Sequence, residues 1–236
     1  MAIAPALGAG GCGFKSRLPD IFFVWTLELN KILNNPGKSL GNIIIISAPS
    51  GAGKTAICNA VVKSSRNVIY SISYTTRRPR KDEKNGGEYF FVNKTEFKKM
   101  VEEGKFAEWA KVHGNYYGTS KVFLDKMLKT EKNILMDIDV QGGMIIKKQY
   151  PGACMIFVMP PDLRTLKERL VSRNKDHKEI IKIRLDNAVE EVKSVQKYEY
   201  LVINEKLDKA VVEVKTIIKS LKYKIQKNKK YFNDFF

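Results

Sequence analysis

The sequence predicts a doubly wound α/β domain. A parallel five-stranded sheet forms its core, a subdomain of mixed, largely antiparallel strands is inserted into it, and a helical lid follows. Three observations predict this. From Gly41 onward, short apolar runs alternate with longer amphipathic segments, as crossover connections between parallel strands require. The runs are continuous rather than alternating, the pattern of strands buried on both faces. The stretch 73–120 breaks the rhythm, with Tyr74, Tyr89, Phe90, Phe91, Trp109, Tyr116 and Tyr117 gathered around the turn-forming Asn85-Gly86-Gly87. It reads as short antiparallel strands around one helix, an inserted substrate-binding subdomain.

In chain order, residues 1–40 stand apart. Gly and Ala cluster from Ala2 to Gly13, an apolar stretch runs from Ile21 to Leu29, and Asn34-Asn35-Pro36-Gly37 marks a turn. A disordered leader or added sequence is expected, because termini are poorly ordered unless tied down. No basic segment precedes a secretory core, while Lys15 and Arg17 with few acids leave an organellar leader open. The domain is expected over 41–225, as core 41–72, insertion 73–120, core 121–168, lid 169–186 and core 187–225, with a basic tail at 226–236. Core strands are expected at Ile43 to Ser47, Val68 to Ile72, Ile134 to Ile138, Cys154 to Met159 and Leu201 to Ile203. Helices are expected at Thr55 to Ser64, Thr95 to Glu103, Lys121 to Lys129, Asp162 to Val171, Ile180 to Lys197 and Leu207 to Ile225.

Composition narrows the class. The 236 residues are 44% hydrophobic and 28% charged, which excludes wholesale disorder and fibrous repeats. No apolar run approaches the roughly 18 residues of a membrane span, so a soluble, cytoplasmic protein is expected. Cys12, Cys58 and Cys154 lie far apart, with only His113 and His177 to join them, which disfavours disulfides and zinc. The net charge of +17 points to anionic partners.

The sharpest motif follows the first strand. Ala48-Pro49-Ser50-Gly51-Ala52-Gly53-Lys54-Thr55 matches the phosphate-binding pattern GxxxxGK[ST] except for Ala48 at its first position. In such a loop the glycines let backbone N–H groups converge on phosphate oxygens, and the next helix aims its positive end at the same anion. Lys54 is expected to neutralise the outer phosphates and the Thr55 hydroxyl to ligate Mg²⁺; Ser50, Gly51, Ala52 and Gly53 complete the cradle for ATP. Ile134-Leu135-Met136-Asp137 is an apolar strand ending in an acid, which makes Asp137 a second Mg²⁺ candidate.

Beyond the loop, the chain resembles the guanylate kinase family from about Ile43 to about Lys219. Ser73-Tyr74-Thr75-Thr76-Arg77-Arg78-Pro79-Arg80, Gly87-Glu88-Tyr89-Phe90-Phe91, Glu108-Trp109-Ala110, Asn115-Tyr116-Tyr117-Gly118-Thr119 and Asp137-Ile138-Asp139-Val140-Gln141-Gly142 carry the likeness. It implies transfer of the γ-phosphoryl group of MgATP to GMP, and to dGMP, giving GDP and ADP, with 73–120 as the GMP-binding subdomain. Arg77 and Arg80, with Tyr89 and Tyr117, would hold the acceptor phosphate. Glu108 would meet guanine, Ser73 and Thr119 its neighbouring edge, and Asp139 the nucleoside. Guanidinium forks suit a phosphate monoester, and one carboxylate accepts both of guanine's adjacent N–H donors. The family commonly has Ser where this chain has Thr119, and a small residue where it has Tyr74.

The resemblance also implies that Arg173 and Arg184, flanking Asn174-Lys175-Asp176-His177, stabilise the transferring group, and that Asn204 meets adenine. Arg169 reads as a helix-surface residue. No general base is needed, because a phosphate with a second pKa of about 6 is already largely anionic near neutrality. His113 and His177 are therefore expected bystanders, and protein-kinase HRD and DFG signatures are absent from the sequence. Three alternatives compete with this reading: another small-molecule kinase on this fold, a non-catalytic binding module of guanylate-kinase type, and nucleic-acid binding. Glu108 disfavours the first and Lys54, Thr55 and Asp137 the second. The expected partners are ATP and GMP, without nucleic acid or membrane, in a monomer or weak homodimer.

Overall fold

A computed structural model describes residues 41–112, 114–173 and 178–228. The chain divides into two units, Met1–Lys38 and Ser39–Phe236, and all described residues belong to the second. The leader expected at 1–40, His113, the segment Asn174 to His177 and tail residues 229–236 lie outside the described residues.

β1 (Ile43–Ser47) is buried at every position. α1 (Lys54–Lys63), β2 (Val68–Tyr70), β3 (Ser73–Thr75), β4 (Tyr89–Phe91), α2 (Lys94–Glu102), β5 (Phe106–Val112) and β6 (Asn115–Ser120) follow. Next come α3 (Lys121–Leu128), β7 (Asn133–Asp137), α4 (Val140–Gln149), β8 (Cys154–Met159), α5 (Leu163–Arg173), α6 (Lys178–Val192), β9 (Tyr200–Ile203) and α7 (Leu207–Ser220). The core sheet has the order β2-β7-β1-β8-β9 with every pairing parallel, so the expected doubly wound core is borne out.

Alternation across β1 explains why both faces are covered. Ile44 and Ile46 pack with Ile57 and Val61 of α1 and with Ala210 and Val214 of α7. Ile45 points the other way, where its Cγ2 lies 3.2 Å from the position a Cβ on Gly143 of α4 would take. Burying such β-branched side chains on both faces favours the sheet at about 25 cal/mol per Å² of apolar surface. Among the described residues no helix is long and apolar enough to cross a membrane.

The second sheet has the order β4-β3-β6-β5. β3–β6 and β5–β6 are antiparallel and β3–β4 is parallel, so the second sheet is mixed and largely antiparallel, as expected. Residues 76–88 loop back before pairing, so β4 re-enters beside β3 in the same direction. The sheet is cemented by ring stacking of Tyr74 on Phe90 at 4.8 Å and of Phe97 on Phe106 at 4.6 Å.

Other boundaries differ from expectation. The run Val68 to Ile72 is not one strand: after Tyr70 the chain makes a last bond, Ser71 N–H to Leu135 O at 2.9 Å, and leaves for the second sheet. α6 ends at Val192 and α7 at Ser220, each followed by short 3₁₀ turns where longer helices were expected. Asp162 caps α5, its carboxylate accepting the Thr165 N–H at 2.6 Å.

Candidate active site

The phosphate loop joins β1 to α1 at the C-terminal edge of the core sheet, where the strand order reverses and ligands of such folds bind. Gly51 and Gly53 have φ of 92° and 90°, in the left-handed region that a side chain disfavours. Gly53 has a second reason to be glycine, since a Cβ there would collide with Asn204 Nδ2. That nitrogen donates to Ala52 O at 2.7 Å, and Asn204 is buried. The side chain expected at the adenine is thus turned onto the loop's own backbone. Arg169, expected on a helix surface, donates through Nη2 to Asn204 O at 2.9 Å and so belongs to this support. Ser50 lends its N–H to Glu191 Oε2 at 3.3 Å.

Lys54 Nζ lies 2.7 Å from Asp137 Oδ1 and donates to Ile138 O at 2.9 Å. The lysine side chain is 20% exposed and the aspartate 7%, so the pair meets at the rim of the loop rather than in open water. Burial alone would lower the lysine pKa, but the Asp137 charge and hydrogen bond hold it above its ordinary value. Burial, then the neighbouring Asp137 charge, drives the Tyr70 hydroxyl pKa well up. Thr55 is exposed at the first turn of α1.

The residues expected at the acceptor lie on and beside the second sheet. Glu108 and Thr119 face each other across β5 and β6, and Thr119 Oγ1 donates to Glu108 Oε1 at 2.6 Å. Glu108 is only 5% exposed. Burial raises its pKa to about 7; the Thr119 hydrogen bond opposes this and the Asp139 charge adds to it. Asp139 caps α4, accepting the Gly142 N–H at 2.7 Å. A Cβ on Gly142 would lie 2.8 Å from Glu108 Oε2, so glycine lets the carboxylate keep this position. Ser73 is buried and pairs in register with Tyr89.

Arg77 sits with its guanidinium carbon 5.3 Å from the Tyr89 ring centre and 5.8 Å from that of Phe91. Its Nη2 donates to Glu83 Oε1 at 2.8 Å. Tyr89 and Tyr117 meet edge to face at 5.9 Å, and burial, then the Asp137 charge, keep the Tyr89 hydroxyl protonated as a donor. Arg80 is exposed, on a turn whose N–H donates to Glu83 Oε2 at 2.8 Å.

The structure therefore gathers Arg77, Tyr89 and Tyr117 into one group and Glu108, Thr119 and Asp139 into another. Lys54, Asp137 and the loop form a third. Arg184 is half-buried on α6, and Arg173 closes α5, its side chain outside the described residues. Sequence reading missed Glu83, Tyr70, Glu191 and the role of Arg169. Only Arg169 carried a signal, its place one turn before Arg173.

A model of the guanylate kinase family matches residues 40–221. A guanylate kinase of Helicobacter pylori is 44% identical over 185 residues, covering 78% of this chain and 90% of that protein. One from Nitrosomonas europaea is 43% identical over 182 residues, covering 77% and 90%. The crystal structure of guanylate kinase from Anaplasma phagocytophilum aligns with a TM-score of 0.69 at 29% identity, over 80% of this chain and 90% of that one. With the fold, the phosphate loop and the relatives in agreement over the same residues, this chain belongs to the guanylate kinase family.

Proposed function

We propose that this chain transfers the γ-phosphoryl group of MgATP to GMP, and to dGMP, giving GDP and ADP. The observation that carries the reading is the buried Glu108 carboxylate beside Thr119, next to the strand end that also serves Lys54. A carboxylate with one oxygen free of Thr119 and no open water is matched by a base with two adjacent N–H donors, and guanine is such a base.

Two oxygen donors, the exposed Thr55 hydroxyl and the Asp137 carboxylate, fit Mg²⁺, which usually takes one or two protein oxygens plus substrate phosphates. The ion, when bound with the nucleotide, neutralises triphosphate charge. The chain's own residues do the rest: loop N–H groups and Lys54 hold the donor phosphates, while Arg77, Arg80, Tyr89 and Tyr117 hold the acceptor phosphate. Ser73, Glu108, Thr119 and Asp139 orient the nucleoside, and Arg173 and Arg184 meet the charge of the transferring group. Such an arrangement works by positioning and electrostatics, with no proton to remove from the attacking oxygen.

The test is a coupled ADP-release assay across GMP, dGMP, AMP, CMP, UMP and dTMP with MgATP. Turnover confined to GMP and dGMP, lost in Lys54→Ala, is expected. Equal turnover of AMP, or of a pyrimidine monophosphate, refutes the acceptor assignment.

A further inference from the structure

We propose that Glu83 is a positioning residue for the acceptor phosphate: its carboxylate couples Arg77 and Arg80 into one anion-binding unit. The inference rests on the reading above that these two arginines hold that phosphate. Glu83 spends one oxygen on each. Oε1 accepts from Arg77 Nη2 at 2.8 Å and Oε2 accepts the backbone N–H of Arg80 at 2.8 Å. The pair is largely shielded, with side chains 18% and 14% exposed. Hydrogen bonding from Arg77 first, with the Arg80 N–H and both positive charges, holds the Glu83 carboxyl below its ordinary pKa, so it stays ionised across the neutral range.

The remaining contacts of Arg77 show what the carboxylate adds. The Tyr89 and Phe91 rings fix where the guanidinium sits, and Nη1 donates to Arg78 O at 2.8 Å. Rings tolerate rotation of the fork about its stem, because cation–π attraction is nearly indifferent to it. A two-point grip on phosphate is not, since it needs two N–H groups aimed in parallel. Glu83 removes that freedom by fixing Nη2. The same carboxylate closes the turn Arg80–Glu83, which returns the Glu83 N–H to Arg80 O at 3.1 Å, and so places Arg80 relative to Arg77.

Equilibrium binding of GMP, guanosine and ATP to the full chain tests this, with the ratio of GMP to guanosine affinity reporting the phosphate grip alone. Glu83→Gln should lower that ratio about tenfold, the scale of one charge-assisted hydrogen bond, while guanosine and ATP affinities hold. Glu83→Asp should recover part of the loss, and in an Arg77→Ala background Glu83→Gln should add little. Should Glu83→Gln not fold, Glu83→Asp alone reads the effect through an intermediate ratio. A ratio unchanged in the Glu83 variants but lost in Arg77→Ala overturns the role of Glu83 and leaves the acceptor site standing. A ratio unchanged in Arg77→Ala overturns both. Equal weakening of all three ligands by Glu83→Gln also overturns the proposal.

Discussion

Water exclusion sets the state in which Glu108 meets its ligand. With its pKa raised to about 7, chiefly by burial, the carboxyl is protonated through much of the weakly acidic range. On the proposed reading, guanine's two donors require the ionised form, so GMP binding would release a proton whenever the pH lies below that value. The KM for GMP should fall as pH rises toward about 7 and level off above it, with the KM for ATP as the control; Glu108→Gln should flatten the profile. Stability runs the opposite way. A carboxyl whose folded pKa exceeds its ordinary 4.5 loses stability as pH climbs from there to about 7, because the unfolded chain ionises more readily. The melting temperature of Glu108→Gln relative to the parent should therefore rise across that window, and a constant difference would refute the burial argument. At this scale the sequence was legible where a motif named the residue, as for Lys54, Arg77 and Glu108. It was silent on Glu83 and Tyr70, whose roles come from a turn and a sheet register that bring distant groups together.

Asn204 shows how one element supports another. It follows β9, yet its amide holds Ala52 O in the loop between β1 and α1, so the far strand of the sheet props that loop. Asn204→Ala leaves that buried carbonyl unpaired, at a cost of about 1–3 kcal/mol. Thermal melts should show the loss, and the KM for ATP should rise more than that for GMP; an effect confined to GMP would contradict the strut. Elements were legible where burial is two-sided. The continuous runs of β1, β7 and β8 can only be central strands, and each formed as expected. The parallel β3–β4 pair was not legible, because three-residue strands carry too little pattern to reveal direction, which the intervening loop decides. The early end of β2 was hidden for the same reason: Ile72 is as apolar as Val68, and only the departure into a second sheet separates them.

For the whole molecule, the net charge of +17 exceeds what the proposed nucleotide sites use, with exposed lysines such as Lys206, Lys209 and Lys219 adding to it. Like charges destabilise a compact state, and salt screens them over about 8 Å at physiological ionic strength. The melting temperature should rise when sodium chloride goes from low concentration to about 0.15 M; a fall would show that local ion pairs outweigh the global repulsion. The sheet order, in turn, brings the Lys54 group and the Glu108 group to one strand end. Asp137 and Ile138 reach Lys54, and Asp139, next in the chain, borders the Glu108 pocket. Side chains alternate along a strand, so inserting or deleting one residue in β7 would turn Asp137 away from Lys54 and displace Ile138 and Asp139, which follow directly, from their partners. A length change there admits no half-working form. Alleles that keep one nucleotide and lose the other must arise elsewhere, and a genetic screen for such separated defects should return hits in the loop or the second sheet, never as indels in this strand.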